Sequence, residues 1–332
     1  MSESKSVIVT GVQGQDGSIL AEILVRSGFE VIGIGRRRLD DFSRRDLSLK
    51  ELARSKNSRG SFRYIICDLR DSTSVHNLIN TVKPHTVFNL AAMSSPAESW
   101  DNPAGTLSND THAVINILDA IKNLSHDTKL VQACTAAIFH SSEKPINENS
   151  QIKIVNPYAA AKYAAYAICD QYRARYGIHV SNAIMFNHES IWRPEAFVTR
   201  KISKAVAAIS LGSKEKLNLW TLDPIRDWGW AQEYMEALHL ISKLDEPKDM
   251  ILATGIGVSL REYVEYCFKL VNLNYVEHIQ VDPDGLNTGV DISVGDPSLA
   301  RQTLGWQATV SWKEIASRMI EHDVSILQEN II

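Results

Sequence analysis

Tyr158 and Lys162 stand four residues apart in "NPYAAAKYAAYAICDQYRARYG". On a helix that spacing puts them on one face. A nearby ammonium lowers a phenol's pKa and favours tyrosinate. Tyrosinate can take a proton from a hydroxyl while hydride leaves the same carbon. Alone, Tyr-x-x-x-Lys is common and carries no meaning. Here it follows "VQACTAAIFH" (131–140), an apolar run in which Thr135 falls where a buried strand ends. The Thr135 hydroxyl can hydrogen-bond the reacting oxygen. Thr135, Tyr158 and Lys162 are therefore the candidate catalytic residues.

Such chemistry needs a hydride acceptor, and the start of the chain offers a place for one. "VTGVQGQDGSIL" sets Gly11, Gly14 and Gly17 between a strand-like run and a helical one. Gly11 permits a tight turn, Gly14 lets a pyrophosphate approach the backbone, and Gly17 lets helix and strand pack closely. Gln15 and Asp16 lie in the same turn, at a helix N-terminus that favours phosphate. A lone glycine pattern is often just a turn; the strand–glycines–helix context makes this one a dinucleotide site. The second strand usually ends in Asp or Glu when the cofactor is NAD. Here it ends "GIGRRRLDD", with Arg36 and Arg37 in that place. A guanidinium fork suits a 2′-phosphate, so NADP is favoured and NAD stays possible. The bland reading is a solvated basic loop or a subunit contact. Asp68, beside Leu69, could accept from an adenine amino group, or cap the helix starting near Asp71. Leu90, Ala91 and Ala92, at the end of the fourth strand, complete the expected cofactor lining.

The elements that hold these residues alternate. Strand-like runs at 6–11, 30–35, 62–68, 86–92 and 129–135 are separated by helical spacing at 17–28, about 72–82 and about 105–122. That rhythm implies an α/β fold, a Rossmann-type doubly wound parallel sheet. After Asn187 the elements grow irregular, which implies a smaller C-terminal lobe with helices near 200–212 and 311–327. Residues 1–186 are expected to form the NADP-binding domain with the Tyr/Lys pair. Strands near 180–186 and 249–254 are expected to return to its sheet, and 187–332 to form most of the substrate lobe. The chain has 332 residues, 44% hydrophobic and 22% charged, with net charge −4. That balance argues against general nucleic-acid binding. No apolar run approaches membrane length. "MSESKS" lacks a signal-peptide pattern. Cys67, Cys134, Cys169 and Cys267 show no paired spacing, so a reduced cytoplasmic protein without a metal site or disulfide frame is expected.

With these motifs in hand, the chain resembles the GDP-mannose 4,6-dehydratase family, a branch of the extended short-chain dehydrogenase/reductases. The stretches that carry the likeness are "TGVQGQDGSILAEIL", "NLAAMS", "NPYAAAK", "FNHES", "FVTRKI", "LDPIRDWGWAQEYMEAL" and "ATG". The resemblance implies a GDP-linked hexose as substrate, NADP as cofactor and a homodimer or homotetramer. It implies that Asn187 contacts the sugar or phosphate. Val198 and Lys201 would line a guanine pocket, and Arg226 would bind the diphosphate. Ser94 would line the sugar pocket, unless it merely caps the following segment. For Lys201 and Arg226 the plain alternative is surface charge. Asp227, Trp228 and Gly229 read as structural.

The departures matter more. The family's strand end reads Thr-Ser-Glu, its Glu being the base at the sugar C5; this chain has Thr135, Ala136 and Ala137. "NHESIWRP" brings Trp192 in place of an Arg and keeps Arg193. "GLNTGVDISVGDPSLA" lacks an Arg and a Glu that touch nucleotide in the family, and "LWTLD" introduces Trp220. Dehydration oxidises C4, removes the C5 proton, expels water from C6 and returns hydride there. Only the second step lacks its residue, and a positioned acid/base contributes about 10²–10⁴-fold. His140, three residues past Ala137, could replace it or be a plain loop histidine. Glu189 already belongs to the family motif and does not explain the loss. The expectation is redox chemistry at C4 with a dehydrogenase, ketoreductase or epimerase outcome. The alternatives are dehydration through another base, and a non-catalytic homologue that senses NADP or a nucleotide sugar.

Overall fold

The computed structural model describes residues 5–41, 43–55, 59–284 and 291–329. Part of "GLNTGVDISVGDPSLA", and parts of the basic stretch between Arg36 and Arg59, thus lie outside the described residues. The chain divides into two compact units: Met1–His140 with Gln151–Met185 and Tyr234–Met250, and Ser141–Ser150 with Phe186–Glu233 and Ile251–Ile332. Ser141–Ser150 joins the second unit because Ser142 and Ile146 donate backbone N–H groups to Ile292 and Val294, at 3.1 and 2.8 Å. A pairing about 150 residues apart leaves no local signature.

In the first unit, strands β1 (Ser6–Thr10), β2 (Glu30–Gly35), β3 (Ser61–Ile66), β4 (Thr86–Asn89), β5 (Lys129–Thr135) and β6 (Val180–Met185) form a parallel sheet. Its order is β6-β5-β4-β1-β2-β3, with Met250–Leu252 beyond β6 as a seventh strand. β1 and β6 are almost wholly buried, which is why β1 reads as an apolar run; β6 buries Ser181 and Asn182 among its apolar residues. Helices α1 (Gln15–Arg26), α2 (Arg44–Arg54), α3 (Ser72–Val82), α4 (Pro103–Leu124) and α5 (Pro157–Tyr176) connect them. One core joins Ile8, Ile32, Val87 and Leu130 from the sheet to Ile117 and Ile121 of α4 and Cys169 of α5. Each such aliphatic side chain contributes about 1.5–3 kcal/mol by leaving water. The strand order reverses on the two sides of β1, and in open sheets of this kind ligands bind at the carboxyl ends by that switch point. Helix α2 went unread in the sequence, because its buried face amounts to Asp46 and Leu49.

The Met250–Leu252 strand already placed is β10; the second unit is built on short pieces: β7 (Asn187–Glu189), β8 (Leu217–Leu219), β9 (Ile225–Trp230), β11 (Gly257–Ser259), β12 (Ile279–Val281) and β13 (Ile292–Ser293). β9 pairs in parallel with β7 and β13 and antiparallel with β11. Its helices are α6 (Val198–Ser210), α8 (Leu260–Leu270), α9 (Tyr275–His278), α10 (Ser298–Leu304) and α11 (Trp312–Glu329); α7 (Ala231–Ile241) belongs from Tyr234 onward to the first unit. Trp228, Tyr263, Phe268 and Ile320 lead its core. Asp227 is fully buried and gathers N–H groups from Thr254, Gly255 and Gly295 and the Thr254 hydroxyl. Burial still raises its pKa against those four donors. Between α6 and α11, Asp323 binds Arg200 at 2.8 Å and Ser203 at 2.7 Å, all three buried.

Candidate active site

The glycine turn is shaped by what cannot fit there. Gly11 has φ +65°, and a Cβ on it would lie 2.9 Å from the backbone of Ala91. A Cβ on Gly17 would lie 2.4 Å from the Gly11 carbonyl oxygen, so α1 can approach the turn only with glycine there. Gly14 is the exposed, extended N-cap of α1 and puts no side chain over the helix end; the first turn carries Gln15 and Asp16, joined at 2.9 Å. Bare backbone at a helix N-terminus suits a pyrophosphate, so the residues present fit a dinucleotide.

Next to the turn, the carboxyl half of the sheet holds a row of buried polar residues. Thr10, Asn89, Gln132 and Asn182 are in register on four neighbouring strands. The Thr10 hydroxyl donates to Asn89 Oδ1 at 2.6 Å and accepts the N–H groups of Leu90 and Ala91, each at 3.1 Å. Asn89 Nδ2 donates to Gln132 Oε1 at 2.7 Å, and Gln132 Nε2 to the Ala133 carbonyl at 2.9 Å. Sequence reasoning missed this relay. Its only trace is polar residues at one register inside apolar strands. It fixes Leu90 and Ala91 beside Gly11, while Ala92 and Ser94 beyond them are exposed.

At the carboxyl end of the neighbouring β2, Arg36 and Arg37 leave the strand exposed. Arg37 is bound to Asp46 and Asp40. Asp68 is gripped by Arg70, whose hydrogen bonds hold its pKa down at about 2. The capping alternative for Asp68 is corrected. Asp71 caps α3, accepting from the Thr73 N–H at 3.1 Å. Ser94 is likewise not a cap, since the buried Ser95 receives the Glu98 N–H at 3.2 Å. Leu69 is buried beside Asp68.

Helix α5 begins where its sequence dictates. Asn156 caps it through the Ala159 N–H, and Pro157 takes the first turn, where its missing N–H costs nothing. Tyr158 and Lys162 are both buried, with the ammonium 6.0 Å from the phenol ring centroid. Lys162 Nζ donates to the Ala133 carbonyl at 3.4 Å, two residues before Thr135. Burial works against the ammonium; the charges of Asp110, then Tyr158, outweigh it and raise the Lys162 pKa. Asp110 is itself buried, bound by the Met93 N–H at 3.0 Å, with Oδ2 lacking a partner among the described residues. Thr135 ends β5 and caps a 3₁₀ turn, its Oγ1 accepting the Ala137 N–H at 3.2 Å. Its hydroxyl proton is left to donate elsewhere. Ala137 is half-buried. His140 is exposed past the turn, its backbone N–H tied to the Gln151 carbonyl.

The second unit carries the remaining candidates. Asn187 opens β7, half-buried. Glu189 is buried against Thr199 and Arg193, and Arg193 stacks 3.6 Å from the Phe197 ring centroid. Glu189 and the surviving Arg193 are thus tied up in structure. Val198 starts α6, and Lys201 is exposed near its first turn. Arg226 on β9 is bound by the Asp291 carboxylate and by its carbonyl at 2.6 Å. Trp220 is 54% exposed, and Trp192 meets His322 edge-on. All four cysteines are free and buried. Among the described residues, no cluster of His, Cys, Asp or Glu could hold a metal, and no helix is long and apolar enough to cross a membrane.

A switch-point glycine turn with a Tyr/Lys pair on a later helix defines an extended short-chain dehydrogenase/reductase. Comparison with known proteins narrows this. The profile of the GDP-mannose 4,6 dehydratase family matches residues 8–319. A GDP-mannose 4,6-dehydratase of Sinorhizobium fredii (strain HH103) is 38% identical, covering 99% of each chain. The structure of MoeE5 in complex with UDP-glucuronic acid and NAD superposes with a TM-score of 0.82 at 21% identity, covering 98% of this chain and 100% of that one. That of RMD from Pseudomonas aeruginosa with NADPH gives 0.78 at 19%, covering 97% and 100%. The chain belongs to the GDP-mannose 4,6-dehydratase family, whose enzymes perform nicotinamide-dependent chemistry on a sugar nucleotide.

Proposed function

We propose that this protein is an NADP-dependent enzyme that performs redox chemistry at C4 of a GDP-mannose-type sugar nucleotide, without dehydration. One observation carries the reading: the side chain after the Thr135 cap, at the family's base position, is the methyl group of Ala137. Gly11, Gly14, Gln15, Asp16 and Gly17 would hold a dinucleotide, with Asp68, Leu69, Leu90, Ala91 and Ala92 around it. The arginines after β2 favour a 2′-phosphate. A nicotinamide cofactor in that site supplies reversible hydride acceptance at C4.

The chain's own residues do the rest. Thr135, its oxygen occupied by the Ala137 N–H, donates its proton to the C4 oxygen. Tyr158 accepts the hydroxyl proton as the carbonyl forms. Lys162, held at the Ala133 carbonyl, keeps a positive charge beside Tyr158. With no carboxylate at position 137, the C5 proton stays, and the ketone is released or reduced again. Asn187, Val198, Lys201 and Arg226 are the proposed contacts to the nucleotide sugar, with Ser94 at the sugar; Arg226 must exchange Asp291 for a diphosphate. Four free, buried cysteines support a reducing, cytoplasmic setting. Exposed Leu107, Leu124 and Tyr176 on α4 and α5 support a homodimer or homotetramer.

The test is a panel of sugar nucleotides with NADP and NAD, reading cofactor absorbance and product mass together. Loss of two hydrogens or an unchanged mass supports the proposal. Efficient loss of water from GDP-mannose favours a dehydratase with another base. Ligand binding without turnover favours a sensor.

A further inference from the structure

Asp46 is a buried carboxylate of the first unit with three donors on it, and nothing in the proposed chemistry uses it. It is 1% exposed. It accepts the side-chain amide of Gln13 at 3.2 Å, the Asp40 N–H at 2.9 Å and the Arg37 guanidinium. Gln13 lies in the glycine turn, and Arg37 and Asp40 lie in the loop after β2. One buried carboxylate therefore ties the turn to the loop. Tyr64 closes the arrangement, its hydroxyl 2.9 Å from Gln13 Oε1 and within bonding distance of the Arg37 carbonyl. Gly35 leaves the room for it: a Cβ there would lie 2.2 Å from the Tyr64 hydroxyl and 2.5 Å from Gln13 Oε1.

The two arginines consequently differ. Arg37 also reaches Asp40 Oδ2 at 3.1 Å and the Arg38 carbonyl at 3.0 Å, so its Nη1 meets three acceptors that hold the guanidinium against the loop. Arg36 has no hydrogen-bond or ion-pair partner among the described residues. Successive residues leaving a strand point to opposite sides. In keeping with that, the charge of Arg36 acts on Asp68 and Asp110, that of Arg37 on Asp46 and Tyr64.

We propose that Asp46 is a positioning residue that pins Arg37 as a strut, so that Arg36 alone discriminates the 2′-phosphate of the cofactor. The inference rests on the NADP reading above. A phosphate with one free guanidinium gains a charge-assisted, bidentate contact; the second arginine, neutralised by Asp46 and held at its Nη1, serves as the strut and not as the reader.

Calorimetric titration with adenosine 2′,5′-bisphosphate and with adenosine 5′-monophosphate measures the 2′-phosphate preference directly, without turnover. The wild type should prefer the bisphosphate by about tenfold or more, as one charged contact supplies. Arg36→Gln should abolish that preference. Arg37→Gln should weaken both ligands alike and leave the ratio within about twofold. In an Asp46→Asn background the released Arg37 becomes an available cation. There Arg37→Gln should lower the ratio by about threefold, a dependence on background that a merely structural Asp46 would not produce. Loss of preference in Arg37→Gln alone, or the same effect of Arg37→Gln in both backgrounds, overturns the proposal while leaving NADP intact. A wild type without preference overturns the NADP reading and this inference with it. Should Asp46→Asn not fold, the two arginine variants still decide.

Discussion

Gln132 and Lys162 donate to the same acceptor, the Ala133 carbonyl, at 2.9 and 3.4 Å. The buried polar row that begins at Thr10 therefore ends on the ammonium beside Tyr158. Gln132 is the middle of that row, since it also accepts from Asn89. Gln132→Leu should leave the Asn89 amide buried without an acceptor, at about 1–3 kcal/mol. It should also loosen the carbonyl that seats Lys162. Steady-state kinetics should give a kcat several-fold lower with KM for the sugar nucleotide little changed, and chemical denaturation should show the stability loss. An unchanged kcat in a destabilised variant would confine the row to a structural role.

Thr135 receives the Ala137 N–H, which fixes its oxygen and frees its proton. Thr135→Ala should lower kcat about 10–100-fold, the scale of one hydrogen bond to a charged or developing-charge oxygen. Thr135→Ser keeps the hydroxyl and should restore most of the rate. If serine is as slow as alanine, the methyl group and its packing matter, and the donor role fails.

Ala137 follows Thr135 by two residues inside the same 3₁₀ turn. A carboxylate there recreates the group that a 4,6-dehydratase of this family uses at C5. Ala137→Glu should yield a product lighter by one water from the sugar nucleotide that the wild type only oxidises or epimerises. Mass spectrometry of the products decides it. Abundant dehydration by the wild type would remove the premise.

The first unit was legible because its signals are local. The glycine turn, the "NPY" helix start and the apolar runs each lie within a dozen residues, and β2 and α3 fall on the expected residues. What was missed depends on distance along the chain. The Thr10–Asn89–Gln132 relay joins residues some 40–80 positions apart. Helix α2 hid because a buried Asp46 stands where an apolar residue signals a helix face. The second unit's strands are mostly two or three residues long, too short for any period, and they are secured by Asp227 contacting Thr254, Gly255 and Gly295. Arg226, read by likeness, and Arg37, read from its place at the strand end, both met local competition: Arg226 is held by Asp291, and Arg37 by Asp46.

Acid should loosen the first unit through a histidine that the chemistry does not involve. His239 on α7 is 8% exposed, set edge-on to Phe29 with centroids 5.5 Å apart, and its Nδ1 is buried without a hydrogen-bond partner among the described residues. Burial, helped by the charge of Lys243, pushes its pKa from 6.5 down to about 4. Burial also lowers His85 and His179, with Lys129 adding to both. Between about pH 4 and 6.5 the unfolded chain holds a proton on His239 that the folded chain refuses, so stability rises with pH across that window. At pH 5 His239 alone should cost about 2 kcal/mol relative to pH 7. His239→Phe keeps an aromatic ring against Phe29 and removes the titration. Urea midpoints measured from pH 4.5 to pH 7 should therefore be flatter for the variant by about that amount. An equally steep profile would assign the acid sensitivity to His85 and His179 instead.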